Sequence, residues 1–168
     1  VLERTPRGSN AIIVIVDTGV NGQRVPPSRR AGGWVEAPGD DPWTDSVGHG
    51  SMVALMALAF APEAKIYSIK LSFEPDGTIS KPSVLSAFDE LIPLMQANPD
   101  LGFVISNSWG MSGCLAGAEA QWCDMVPSRL VTAIDQQNLA LMVFAAGNSN
   151  EECLGPSILG MNSSLGAI

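Results

Sequence analysis

The chain has 168 residues, of which 46% are hydrophobic and 15% charged, and its net charge is −8. That length supports one domain with a real core, and that balance argues against disorder. The negative charge argues against a surface built to neutralise nucleic-acid phosphates. No apolar run approaches the roughly 18–20 residues of a membrane helix, the longest candidate being residues 52–61.

Residues 1–10 form a polar, basic leader carrying Arg4 and Arg7. The chain opens on Val1 rather than Met, as a processed or cloned end would, so a missing signal peptide says little about compartment. Residues 11–16, AIIVIV, are a continuous apolar, β-branched run. Such a run reads as a strand buried on both faces, the kind found in parallel sheets. Asp17-Thr18-Gly19 ends it. From residue 21 to 46 the composition shifts to Gly, Pro, Arg and Asp, which predicts a long irregular stretch.

Residues 49–61 read as a helix opened by Gly48 and closed before Pro62. Residues 65–71 have a strand pattern, and Glu74-Pro75-Asp76-Gly77 is a turn. Residues 82–97 form a helix whose apolar face carries Val84, Leu85, Phe88, Leu91, Ile92 and Met95. Pro93 is expected to kink it or end its regular part. Residues 103–106 are a short buried strand, and residues 112–123 a small-residue loop. Residues 124–137 read as a helix with Met125, Leu130, Val131 and Ile134 inward. Residues 139–144, LALMVF, form the next buried strand, and residues 165–168 begin one more.

Strands alternating with helices imply βαβ units. The predicted fold is α/β, a three-layer, doubly wound, mostly parallel sheet in one domain over residues 1–168. Sites in such sheets form at the carboxyl ends of the strands. Three of these ends carry polar chemistry: Asp17, Asn107-Ser108 and Asn148.

The three cysteines are Cys114, Cys123 and Cys153. One pair plus one free thiol is the simplest count; Cys114–Cys123 is the expected pair, although sequence leaves the pairing open. Their spacing is poor for zinc, and there is one histidine, so no structural metal site is expected.

Taken alone, Asp17 reads as a turn residue before glycine, and a lone histidine as a surface or satisfied core residue. The setting of His49 changes that. It stands between Gly48 and Gly50 at a helix start, where the ring is uncrowded and backbone can approach closely. An imidazole is also the side chain best suited to exchange a proton near neutral pH.

The segments IVIVDTGV, DSVGHGSMVA and FAAGNSN together resemble the three sequential motifs of the subtilisin family of serine proteases. Asp17 and His49 lie 32 residues apart (49 − 17), and the spacing onward to Asn148 also matches. The resemblance implies that Asp17 orients His49, that His49 is general base and then general acid, and that the Asn148 amide lines the oxyanion hole. Residues 104–110, VISNSWG, resemble the strand that pairs with substrate backbone. Ser108, Trp109 and Gly110, with Ala145, Ala146 and Gly147, are then expected to flank a protein or peptide substrate.

The departures from the family pattern matter too. No Gly-Thr-Ser nucleophile motif is present. Ser51 belongs to the histidine motif, and Ser163-Ser164 lie where the family has a connection into its next strand. The expectation is a domain incomplete at its C-terminus. Its serine would come from another segment or chain, and the chain alone would be inactive and prone to self-association. The usual calcium loop of the family is absent, so no cofactor is expected, although a different calcium site could use Asp40, Asp41 or Asp45. Glu151 and Glu152 read as loop acids. The resemblance implies an extracellular or secreted setting, while the charge and the short apolar runs predict neither nucleic-acid nor membrane partners.

Three rival readings remain. Asp17-Thr18-Gly19 also resembles the aspartic-protease motif, but that chemistry needs two carboxylates and a Ser or Thr where Val20 stands. A pseudo-protease or peptide-binding fragment fits the missing serine. A nucleotide-binding domain lacks its glycine-rich phosphate loop.

Overall fold

The computed structural model describes residues 7–74, 79–109, 126–137, 140–145 and, as backbone, 165–167. Its elements in chain order are β1 (Ala11–Asp17), β2 (Arg30–Val35), α1 (His49–Phe60), β3 (Lys65–Lys70) and α2 (Lys81–Gln96). They continue with β4 (Gly102–Asn107), α3 (Ser128–Gln136), β5 (Ala140–Phe144) and β6 (Leu165–Ala167). Two short 3-10 turns, Gly22–Arg24 and Pro27–Arg29, lie between β1 and β2.

The six strands form one sheet in the order β2-β3-β1-β4-β5-β6. Every pairing between them is parallel. β1 is central, and its side chains divide between two cores. Ile12, Val14 and Val16 face a core containing Val84, Phe88, Leu91 and Met95 of α2 and Leu130 and Ile134 of α3. Ile13 and Ile15 face the other core, with Ala54 of α1, Val20, Val25 and Ile66. So α1 covers one face and α2 and α3 the other, which makes three layers. The AIIVIV run follows from this, because a strand covered on both faces has no position where a polar side chain is favoured.

Three expectations needed correction. The stretch 21–46 is not irregular throughout, because β2 runs through it and pairs with β3 at the sheet edge. Its sequence, RAGGWV, hides the strand: all six residues are half-buried, two are glycines, and the register shifts between Arg30 and Gly32. Neither the alternation nor the apolar run that marks a strand is present. Of the two effects expected of Pro93, a kink or an end, the end is not found, because α2 continues to Gln96. The proline's missing N–H and its ring act on the carbonyl one turn earlier, that of Asp89, while its own carbonyl accepts the Ala97 amide at 2.9 Å. The third helix starts at Ser128, not at 124. Pro127 has ψ 138°, outside the helical range, and a proline disfavours helix in the residue before it.

The expected inward faces are otherwise close to those found. Val84, Phe88, Leu91 and Met95 are buried, while Leu85 and Ile92 are half-buried and Ser83 and Ala87 take buried places instead. Val131 is half-buried; Met125 lies outside the described residues. Arg129 on α3 is ion-paired with Asp89 on α2, tying the two helices together on their exposed side. The turn at 74–77 falls largely outside the described residues, and its flanks Phe73 and Ile79 form an antiparallel bridge. Among the described residues, no helix is long and apolar enough to cross a membrane.

The topology also places the site. After β1 the chain goes to β2 and β3 on one side, and after β4 it goes to β5 and β6 on the other. The switch in direction opens a crevice at the carboxyl ends of β1 and β4, where ligands of doubly wound sheets bind. Asp17 is the last residue of β1, and Asn107 the last of β4.

Candidate functional site

Asp17 sits at the mouth of that crevice with only 3% of its surface exposed. A carboxylate so placed needs donors, since burying an unpaired charge is costly. It has them. The Thr18 amide donates to Oδ1 at 2.7 Å. His49 Nδ1 lies 2.9 Å from Oδ1 and 3.0 Å from Oδ2. With a carboxylate as acceptor, Nδ1 carries the proton, which leaves Nε2 of a neutral ring free to accept one. Nε2 has no hydrogen-bond partner among the described residues, and the His49 side chain is 44% exposed.

Two glycines put the ring there. Gly48 caps α1 with φ at 91°, in the left-handed region that side chains disfavour. This turn makes His49 the first residue of the helix. Gly50 then packs against the end of β1. A Cβ there would lie 2.2 Å from the Gly19 carbonyl oxygen and 3.0 Å from the Asp17 Cβ. Only hydrogen fits, so the first turn of α1 lies directly on the backbone that carries Asp17.

A second carboxylate organises the same junction. Oδ1 of Asp45 accepts from the Thr18 hydroxyl at 2.9 Å, the Gly48 amide at 2.7 Å and the Val47 amide at 3.1 Å. Its Oδ2 accepts from the Ser51 amide at 2.9 Å and the Ser51 hydroxyl at 2.5 Å. Partial burial pushes the Asp45 carboxyl up, but the Ser51 hydroxyl and the Gly48 and Ser51 amides outweigh it and hold it below its ordinary range. Its role was not legible in the sequence, where it reads as a loop acid. The available signal was an acid four residues before a histidine, at a helix start.

The other acids named for calcium are also engaged. Asp40 is ion-paired with Lys70 at 2.8 Å, and Asp41 accepts the Trp43 amide at 2.9 Å. Among the described residues, no group of three or more His, Cys, Asp or Glu could hold a metal ion.

At the end of β4, Asn107 is buried and its Nδ2 donates to the Val143 carbonyl at 3.1 Å, clipping β4 to β5. Ser108 and Trp109 follow and are half-buried. The Trp109 ring packs into the core, 6.4 Å from Phe88 and 6.1 Å from Phe144, meeting the latter edge-on. Ala145 is exposed, with its amide donating to the Asn107 carbonyl at 2.9 Å. Gly110, Ala146, Gly147 and Asn148 lie outside the described residues, as do Glu151, Glu152, Ser163, Ser164 and all three cysteines. So Asp17 and His49 are brought into contact, and Ser108, Trp109 and Ala145 lie at the ends of β4 and β5.

Comparisons with known proteins place the fold and the family. The chain is similar to a solved protein described as "S41 Psychrophilic Protease", with 27% identity and a TM-score of 0.62 over 86% of this chain and 48% of that one. It shares the fold of the solved protein "Sphericase", with 24% identity and a TM-score of 0.62 over 90% of this chain and 50% of that one. The chain therefore spans about half the length of these solved relatives. No curated protein matches it. The family model of the subtilases matches residues 8–166. With nearly its whole length under that match, and an aspartate–histidine pair at the head of its sheet, the chain belongs to the subtilase family.

Proposed function

We propose that this chain supplies the acid–base half of a serine endopeptidase, with Asp17 and His49 activating a serine carried outside these 168 residues. The observation that carries this is the contact of His49 Nδ1 with both oxygens of the buried Asp17 carboxylate. It holds the ring in one tautomer and stabilises the imidazolium formed in the reaction. The partner of Asp17 is an imidazole and not a second carboxylate, which favours serine over aspartic-protease chemistry.

The proposed reaction uses that pair together with residues carried over from the family likeness. A serine hydroxyl gives its proton to His49 Nε2 as its oxygen bonds to the substrate carbonyl carbon. The carbonyl oxygen takes the negative charge, and the Asn148 amide donates a hydrogen bond to it. Collapse breaks the carbon–nitrogen bond, and the imidazolium returns the proton to the leaving amine. Water, deprotonated by the same ring, then releases the acyl group and restores the serine. The substrate is a protein or peptide in extended conformation. It pairs with backbone at Ser108–Gly110 and Ala145–Gly147, since the core holds the Trp109 ring.

The sequence contains no Gly-Thr-Ser motif. The chain alone therefore lacks a nucleophile and turns over no peptide bonds. Its partners are the substrate and the segment or chain that brings the serine. Peptide hydrolysis tests this: the 168-residue chain is inactive, and a longer form with the sequence that follows it is active and loses that activity on His49→Ala. Hydrolysis by the purified chain, surviving repurification and His49→Ala, contradicts the proposal. A longer form that binds peptide without cleaving it identifies a pseudo-protease.

A further inference from the structure

Asp45 joins the two backbone segments that carry the dyad, and it does so from outside the dyad. Its Oδ1 takes the Thr18 hydroxyl from the residue next to Asp17. Thr18 Oγ1 in turn accepts the amide of Gly50, the residue next to His49, at 3.1 Å. Its Oδ2 takes the Ser51 hydroxyl, and Ser51 Oγ accepts the Asn21 amide at 2.9 Å. Two relays therefore run between the segment that follows β1, at Thr18 and Asn21, and the first turn of α1, and both end on this one carboxylate. Asp45 also accepts the Val47 and Gly48 amides, so the same group shapes the turn that presents His49.

An ionised carboxylate suits this place because it accepts on both oxygens and donates on neither. An amide would turn a donor toward hydroxyls and amides already committed to donating. The five donors leave Asp45 no part in proton transfer, and it makes no hydrogen bond to the His49 ring.

We propose that Asp45 is a positioning residue: by tying Thr18 to Ser51 it fixes the first turn of α1 against β1, and so holds His49 Nδ1 within hydrogen-bond reach of Asp17. This rests on the reading of Asp17 and His49 as a working pair, and the test separates the two.

His49 is the only histidine in the chain, so its ring nitrogens give unambiguous 15N resonances. At about pH 9, above the ordinary imidazole range, the Nδ1–H tautomer should dominate in the unaltered chain. Asp45→Asn should lower the ratio of Nδ1–H to Nε2–H by about tenfold, the scale of one charge-assisted hydrogen bond. Asp45→Glu keeps the charge and loses the geometry, and should act in the same direction. If it preserves the original ratio while Asp45→Asn does not, the effect is one of charge and the positioning role is wrong.

Asp17→Asn is the control. If it leaves the ratio unchanged, the dyad reading fails; if it shifts the ratio and Asp45→Asn does not, only the proposal fails. Should both Asp45 variants lose the native amide spectrum, Thr18→Val and Ser51→Ala each remove a single donor. A smaller shift in the same direction supports the proposal, and no shift in either overturns it.

Discussion

Gly50→Ala probes the junction between α1 and β1 with one methyl group. The added carbon would lie 2.2 Å from the Gly19 carbonyl oxygen, whereas ordinary contact begins near 3.4 Å. Relief requires a shift of about 1.2 Å (3.4 − 2.2), and the obstacle is backbone, which cannot rotate aside. Overpacking of this kind costs about 1–3 kcal/mol. With a urea slope of about 2 kcal/mol per molar, the unfolding midpoint should fall by roughly 0.5–1.5 M. The same shift separates His49 Nδ1 from Asp17, now 2.9 Å apart, beyond the hydrogen-bonding range of about 3.2 Å. Urea unfolding followed by far-UV circular dichroism reads the first effect, and the His49 15N tautomer ratio reads the second. An unchanged midpoint with an unchanged ratio would refute the close approach of α1 to β1.

Other consequences can be checked in the same chain. The Asp45 carboxyl is held below its unfolded value of about 3.8. Its contribution to stability is therefore complete above that value and is lost as the pH falls through the lower folded one. Asp45→Asn should accordingly lose less stability between about pH 5 and pH 2.5 than the unaltered chain, as read by urea midpoints; equal losses would contradict this. Phe88 is fully buried and packs on the Trp109 ring. Phe88→Ala should cost about 3–5 kcal/mol and weaken the near-UV signal of the tryptophans. Met52, Met56 and Phe60 form an exposed apolar stripe at four-residue spacing on α1, with Phe60 81% exposed. Such a stripe promotes association, so sedimentation should show oligomers that grow with concentration, and Met56→Lys with Phe60→Lys should reduce them. A monomer at every concentration would count against this.

Much of this fold can be read from the sequence because its core strands are buried on both sides. AIIVIV can be little else, and residues 82–97 repeat apolar positions at helical spacing. β2 resists such reading because it is half-buried at the sheet edge and carries two adjacent glycines. Its place follows from β3 and from Pro42, which packs over Gly33. The site divides in the same way. Asp17 and His49 are visible because each ends or opens a recognisable element within a familiar motif. Asp45 is not, because its meaning lies in Thr18 and Ser51, 27 residues before it and 6 after it, and only the folded junction brings them to one carboxylate. Trp109 stands in a motif that resembles a substrate-pairing strand, and that motif gives no sign that the ring turns inward onto Phe88 and Phe144.

The proposed role of His49, held by Asp17, is to activate a serine from outside this chain. Labelling a longer form of the protein with a serine-directed fluorophosphonate, followed by mass-spectrometric mapping, tests it most directly. One labelled serine outside the 168 residues is expected, with labelling lost in His49→Ala. Labelling within the 168 residues, or labelling undiminished by His49→Ala, would contradict it.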